Sequence, residues 1–495
     1  MKRNYLYLLA CALLAACTGS DDNYGQQPQP VDGEAAITFA TDITTRSNVT
    51  RSNVNSLDDL KKLSKGFGVL AYFTDAQNWT TAKGTLAPSA FPPPDFMYNQ
   101  PVRWGALYTM KDGSGNIIYD EDHNPVIVND WVYSPLKYWP NYSDNDDGGA
   151  GAPRYISFFG YAPFTEISNA ATGATVDGTT TGITTLTNNA DRRPYLIYEM
   201  DEDGGTRQTD LLYAEAVTNA KRNGNGLIEV TIDGDTKTNT YQKVPMVFHH
   251  ALAGVEVCVQ RVYDEPTYSG KAPAKEQHTK LFVSQLKLTA TNAAGSVGLF
   301  GSGRLDLETG QWTNTDGSTW PAGTKTLTYG EATFNDTVRG TAAEELDKIR
   351  LYELNKWGEG YDSKTDTWSH DYGVDEEERM LFRDSVITFI PSGGNITIVP
   401  TVQYSMVTRS DELLLSTLTD KDGHKYSRLV NNVDGNPLLL RFEAGKKYKL
   451  VIRIGVEHVN FEVVSVVDWD FPIRFNPTLS GGYTEEYVGK TINEQ

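Results

Sequence analysis

The chain is 495 residues long, with a formal net charge of −20 and no Lys/Arg cluster, which excludes the basic footprint that nucleic acid or an anionic lipid surface demands. The length suits roughly two to four domains. Gly, Thr, Asn and Tyr are abundant and Leu-rich periodic runs are absent, the balance of an all-β extracellular protein.

Residues 1–16 read as a targeting signal rather than structure. Lys2 and Arg3 are its cationic start, and Tyr5 to Leu14 is an apolar run too short to span a bilayer comfortably. Leu14-Ala15-Ala16-Cys17 has the small-small-Cys pattern of a bacterial lipobox, in which the cysteine thiol takes a diacylglyceryl group and the chain is cut before it. The alternative is an ordinary signal cleaved nearby, with Cys17 incidental. Cys11 leaves with the signal and Cys17 is lipidated, so Cys258 stands alone and no intramolecular disulfide is expected. Losing Lys2 and Arg3 takes the charge from −20 to −22. Residues 17–35, with "GQQPQP", read as an acidic, polar tether.

Strand-like runs follow, separated by turn residues. "ITFATDITTRSNVTRSN" opens as a strand on Ile37, Phe39 and Ile43, then becomes polar around Arg46 and Arg51. In "GFGVLAYF", Phe67, Val69, Ala71 and Phe73 share one face. "YISFFGYAPF", "DLLYAEAV" and "AGVEVCVQ" are similar. "NITIVPTVQY" alternates around Pro400, which predicts an edge or a bulge. In "KKYKLVIRI", Tyr448, Leu450, Ile452 and Ile454 face in while Lys449 and Arg453 face out. Such alternation predicts half-buried antiparallel strands. Helices are few: "SLDDLKKL" behind Ser56, and "TAAEELDKI", with Thr341 and Glu344 at capping-box spacing. Gly, Asn, Asp and Pro predict loops over 83–130, 143–153, 166–192 and 355–380. The expected organisation is all-β: one antiparallel β-sandwich over residues 36–243, a second over 244–475, and a tail over 476–495.

The motifs of enzymes are missing: no G-x-S-x-G, HExxH, P-loop or CxxC is present, and no enzymatic activity or cofactor is expected. His249 and His250 are consecutive on a strand, so they point to opposite faces and read as structural rather than as a metal pair. "DEDHNP" starts like a calcium loop at Asp120, Asp122 and Asn124, but has Pro125 where Gly is needed and Trp131 where the closing Glu belongs. "SDNDDGG" and "TDKDGHK" lack the distal acid, and all three read as solvated turns. Trp131, Tyr133, Tyr138 and Trp139 cluster in "DWVYSPLKYWPN". Exposed, Trp131 and Trp139 would stack on sugar rings; the other reading is packing within a sandwich core.

In order along the chain, these pieces resemble the Bacteroidetes fimbrillin family, the FimA/Mfa-like lipoproteins. They are the lipobox at Cys17, "ITFATDITTR", "GFGVLAYF", "YSPLKYWP" with "ISFFGYAPF", "DLLYAEA", "VPMVFHHALAGVEV", "LDLETGQW", "FIPSGGNITI", "AGKKYKLVIRIG" and "FEVVSVVDW". The acidic "TGSDDN" behind Cys17 also resembles the surface-export signal of Bacteroidetes lipoproteins. The resemblance implies two transthyretin-like sandwiches, a lipid anchor in the outer membrane, and cutting by an arginine-specific protease in the loop after the first strand. Arg46 and Arg51 both fit that cut. It further implies that a strand from a neighbouring fimbrial subunit fills the vacated groove. Phe471, Ile473 and Phe475 are the first donor-strand candidates, with a second segment at Tyr483, Tyr487 and Val488; alternatively, Phe471 to Phe475 completes the last strand of the chain's own second domain. Shaft, anchor and tip adhesin, with a host or bacterial surface ligand, stay open as roles; long loops lean toward the tip. The second reading is a surface glycan-binding lipoprotein using Trp131 and Trp139.

Overall fold

The computed structural model describes residues 36–43, 57–84, 91–112, 116–140, 154–169, 173–175, 181–188, 190–200, 210–222, 227–232, 239–261, 279–291, 300–315, 326–330, 353–354, 361–362, 367–368, 379–380, 387–391, 394–409, 418–419, 425–454 and 459–468. Cys17, Arg46, Arg51, Ser56, the 341–344 box, "SDNDDGG" and everything from Trp469 onward, including Phe471, Ile473 and Phe475, lie outside them.

The chain is all-β with two short helices among these residues. In order come β1 (Phe39–Ile43), α1 (Leu57–Lys62), β2 (Phe67–Asp75), α2 (Trp79–Ala82), β3 (Met97–Thr109), β4 (Ile127–Val132) and β5 (Tyr155–Ala162). Next are β6 (Ile167–Asn169), β7 (Ala174–Thr175), β8 (Gly182–Leu186), β9 (Tyr195–Glu199), β10 (Leu212–Ala214), β11 (Val217–Arg222), β12 (Ile228–Ile232), β13 (Asn239–Tyr241) and β14 (Val244–His250). Then β15 (Ala253–Arg261), β16 (Thr279–Thr291), β17 (Ser302–Asp306), β18 (Trp312–Thr313), β19 (Thr326–Gly330), β20 (Glu353–Leu354), β21 (Tyr361–Asp362), β22 (Thr367–Trp368) and β23 (Arg379–Met380) follow. The last are β24 (Ile387–Phe389), β25 (Ile396–Arg409), β26 (Leu418–Thr419), β27 (Lys425–Asp434), β28 (Leu438–Leu440), β29 (Lys446–Ile454) and β30 (Val459–Asp468).

β5 organises the first sheet. One edge pairs with β2, which carries β3 and then β4. The other edge is shared: Tyr161 and Ala162 pair with β10, which leads to β14 and β1, while Ile156 and Phe158 pair with β11, which leads to β12 and β13. A first core joins Phe67, Val69 and Ala71 to Phe158, Val217, Met246 and Phe248. β2 and β5 are buried on both faces, however. Leu70, Tyr72, Phe159 and Tyr161 point into a second core with Leu196, Tyr198, Leu305 and Leu307. The six-stranded sheet β18-β17-β9-β8-β7-β6 supplies residues of that core, so the alternation of "GFGVLAYF" marks one of two buried faces.

β14 begins where the second domain was expected to start, and it lies in the first sheet between β1 and β10. β17 also turns back to pair with β9. The remaining strands build a five-stranded sheet around β15, β29 and β30, a seven-stranded sheet around β16, β25 and β27, and the two-stranded pair β21–β22. On β29, Tyr448, Leu450 and Ile452 are buried and Lys447 meets Glu256 at 3.1 Å. Two pairings depart from the antiparallel expectation: β1 runs parallel to β14, and β15 parallel to β29.

Two expectations are corrected. Residues 83–130 and 166–192 are not simply loops: they hold the long β3–β4 hairpin and β6 to β8. Pro400 is neither at an edge nor at a bulge. It sits inside β25, opposite Leu288, at the gap where the neighbour on the other side changes from β28 (last pair at Ile398) to β27 (first pair at Thr401). On that side its carbonyl accepts from Gly435 N–H in the β27–β28 turn at 2.7 Å, so a proline without an N–H fits where it faces a turn rather than a strand.

Candidate functional site at the first strand

β1 is an edge strand with a core face. Its ladder runs from Phe39 opposite Val244 to Ile43 opposite Phe248. Among the described residues, the other side has only the bridge between Ala36 and Tyr138, with Ile37 N–H donating to the Lys137 carbonyl at 2.9 Å. Ile37, Phe39 and Thr41 are buried, while Thr38 and Ala40 between them are partly exposed, the period of a strand lying on a core.

The groove under β1 is aromatic. The Phe39 ring centroid lies 5.7 Å from Tyr133, 5.9 Å from Phe158 and 6.1 Å from Phe67, all edge-to-face. Burying such a phenylalanine contributes roughly 1.5–3 kcal/mol, and each favourable ring pair about 0.5–1.5 kcal/mol more. Tyr133 also latches the backbone: its hydroxyl donates to the Ile37 carbonyl at 2.9 Å and accepts from Lys137 N–H at 3.2 Å. Burial pushes the Tyr133 phenol above its ordinary value, partly offset by its bond to Lys137, so it stays a neutral donor. Beside the groove, Lys243 just ahead of β14 meets Asp130 of β4 at 2.6 Å.

Taking β1 away would therefore break one ladder and open a trough over Phe67, Tyr133 and Phe158. It would also free the N–H and C=O groups of β14 on that edge, and backbone groups and apolar floor together are what an added strand requires.

The other expected positions resolve differently. Trp131 and Trp139 are 4% and 6% exposed, packed into the first core: Trp131 against Phe67 and Trp104, Trp139 against Phe158. Neither ring offers a face to a sugar, which corrects their reading as ligand aromatics. His249 and His250 do point apart. His249 Nε2 lies 2.8 Å from Glu215, and the fully buried His250 Nδ1 lies 2.9 Å from Asp210. Asp120 spends its carboxylate on its own turn, accepting from Asp122 N–H at 3.0 Å and Asn124 N–H at 2.8 Å. Tyr133 and Thr41 were not singled out for the groove from sequence. Tyr133 was visible only as one member of an aromatic cluster, and nothing local distinguishes Thr41 from its polar neighbours.

No family model matches the sequence, and no curated protein matches it. Solved structures do. The chain resembles fimbrial and cell-adhesion proteins. One is a fimbrial protein from Bacteroides vulgatus, 18% identical, with 88% of this chain and 99% of that one covered at a TM-score of 0.46. Another is a candidate cell adhesion protein from Bacteroides ovatus, 11% identical, with 89% and 99% covered at a TM-score of 0.33. A third is the tip fimbrial protein Mfa3 from Porphyromonas gingivalis with a C-terminal truncation, 11% identical, with 81% and 93% covered at 0.22.

Proposed function

We propose that this chain is a structural subunit of a cell-surface fimbria that supports adhesion. In this reading it is exported as a lipoprotein acylated at Cys17 and joined to its neighbours by strand exchange. An arginine-specific protease cuts after Arg46 or Arg51, β1 leaves, and a strand of another subunit enters the groove. The observation that carries the reading is the placement of β1. It is a sheet-edge strand whose inward face is core, and the chain after it reaches two arginines within eight residues of Ile43. A strand at an edge is withdrawn without disturbing other ladders, whereas a central one is not. Burial of Trp131 and Trp139 takes away the main support for the glycan-binding alternative.

Limited trypsin treatment of the folded chain tests this. One clean nick at Arg46 or Arg51, mapped by N-terminal sequencing, is expected. Resistance at both positions, or cutting throughout, contradicts it. Separately, Cys17→Ala is expected to abolish incorporation of labelled palmitate; continued labelling overturns the lipid assignment.

A further inference from the structure

We infer that the outer part of the β3–β4 hairpin is a docking surface for a protein segment that combines cationic and apolar side chains, seated on the face of Ile117, Tyr119 and Ile127. The surface is complete in the uncut chain, so this inference goes beyond strand exchange and does not depend on it.

β3 leaves its sheet part-way along. Its pairing with β2 ends at Val102, and from Arg103 to Thr109 it pairs with β4 alone among the described residues. Trp104 and Trp131, opposite each other across the hairpin, root this arm: their rings lie 5.4 Å apart, and Trp131 belongs to the first core. Beyond Thr109 the chain folds back through residues 117–119 and returns into β4. Met110 N–H donates to the Val126 carbonyl at 2.8 Å, Val126 N–H to the Ile118 carbonyl at 2.9 Å, and Ile118 N–H to the Met110 carbonyl at 3.0 Å. These three residues spend their N–H and C=O groups on one another in a closed cycle. Backbone paired in this way is no template for an added strand, so the arm offers side chains instead.

Those side chains are apolar. Seven large hydrophobic residues are exposed among the described residues, and five of them belong to this arm: Tyr108, Met110, Ile117, Tyr119 and Ile127. Exposed apolar side chains scattered singly are ordinary, whereas a cluster of them marks a contact surface. The antiparallel bridge of Tyr119 with Pro125, and the bond from Val126 to Ile118, set Ile117 opposite Ile127. Ile117, Tyr119 and Ile127 therefore share one face. Thr109 lies opposite Ile127 and Tyr108 opposite Val128, which turns Tyr108 to the other face.

Charge selects the occupant. Between Tyr108 and Val128 the sequence has one lysine, Lys111, and four acids, Asp112, Asp120, Glu121 and Asp122, all five exposed. Asp112 and Asp120 also accept backbone N–H groups of their own turns, which leaves their charge in place. An acidic rim around an apolar centre is complementary to a segment that is both cationic and apolar. The exposed ring of Tyr119 adds cation–π attraction for an Arg or Lys. A second copy of the chain is repelled, because it brings the same acids on its own arm and a net charge of −20 overall. An anionic bilayer is repelled for the same reason.

The test uses uncut full-length chain and short labelled peptides, read by fluorescence anisotropy at physiological ionic strength. A peptide alternating Arg with Leu is expected to bind. Replacing its Arg by Ser, or its Leu by Ser, should each weaken binding at least about tenfold. In the chain, Tyr119→Ser combined with Ile127→Ser should weaken binding at least about tenfold while leaving the urea midpoint unchanged, since both side chains are exposed. Tyr108→Ser, on the other face, should stay within about twofold. Glu121→Gln with Asp122→Asn should weaken binding at least about threefold and flatten its salt dependence. Failure of the Arg–Leu peptide to bind overturns the cationic occupant. Equal binding by the peptide without Leu reduces the attraction to net charge and overturns the docking face, as does a Tyr119→Ser, Ile127→Ser chain that binds like the parent. Equal loss from Tyr108→Ser overturns the choice of face. Self-association of the uncut chain in sedimentation velocity, abolished by the same pair of serines, overturns the cationic partner in favour of a second copy.

Discussion

Phe39 touches three aromatic rings at once, so its truncation should be felt through all of them. Phe39→Ala is expected to destabilise the uncut chain by about 3–5 kcal/mol, read as a lower urea midpoint. Tyr133→Phe keeps the ring and removes the donor to Ile37, an expected loss of about 1 kcal/mol in the same assay. Asp306 gives a pH signature. Burial raises its carboxyl above 3.8, against hydrogen bonds from Glu308 and Thr309 N–H that lower it. The folded chain then holds the proton more tightly than the unfolded one, so this group's contribution is fully present below 3.8 and is lost as pH rises through the folded value. Asp306→Asn is therefore expected to gain stability relative to the parent between acidic and neutral pH, measured as the difference of urea midpoints. A difference that shrinks or reverses on going to neutral pH contradicts the assignment.

Among the elements, period-two alternation was enough to find β2, β5, β15 and β29, because each carries a continuous apolar face. β3 was missed for a physical reason. Its first part reads Asn99-Gln100-Pro101, polar and proline-bearing in sequence, yet Asn99 and Gln100 are buried because their side chains find hydrogen-bond partners far away in sequence. Asn99 Nδ2 donates to the Thr165 carbonyl at 2.9 Å and its Oδ1 accepts from the Tyr161 hydroxyl at 2.6 Å, while Gln100 Nε2 reaches the Ser134 carbonyl at 3.0 Å. Local pattern contains no sign of such long-range satisfaction. The same holds for the second face of β2 and β5, which is covered by β9 and β17 from distant parts of the chain. The β17–β18 hairpin is pinned there by Trp312, whose indole N–H donates to the Ala251 carbonyl at 2.7 Å and whose ring lies 6.4 Å from Tyr198. Trp312→Ala is expected to cost about 2–3 kcal/mol. A fragment ending at residue 243 lacks β14, β17 and β18, and should show no cooperative unfolding transition in circular dichroism, whereas one ending near residue 315 should recover it.

At the scale of the whole molecule, the groove and its expected filler come from opposite ends of one chain. β1 lies at the start of the described structure and the Phe471 to Phe475 segment follows its last strand, β30. Under the proposed strand-exchange reading, a single chain would carry both an acceptor and a donor, the requirement for a head-to-tail polymer rather than a closed pair. The first strand was legible from sequence, whereas Arg46, Arg51 and the tail lie outside the described residues. What was not legible is that β1 lies at an edge, runs parallel to β14 and is latched by Tyr133, since all three depend on residues some 100 to 200 positions away. Polymerisation after the cut is the most direct measurement. Purified chain is nicked with trypsin, the protease is inhibited, and the sample is followed by size-exclusion chromatography and negative-stain electron microscopy. The expected result is loss of the fragment containing β1 and growth of filaments, absent from uncut chain. Nicked chain that sheds β1 yet stays monomeric would contradict assembly by strand exchange.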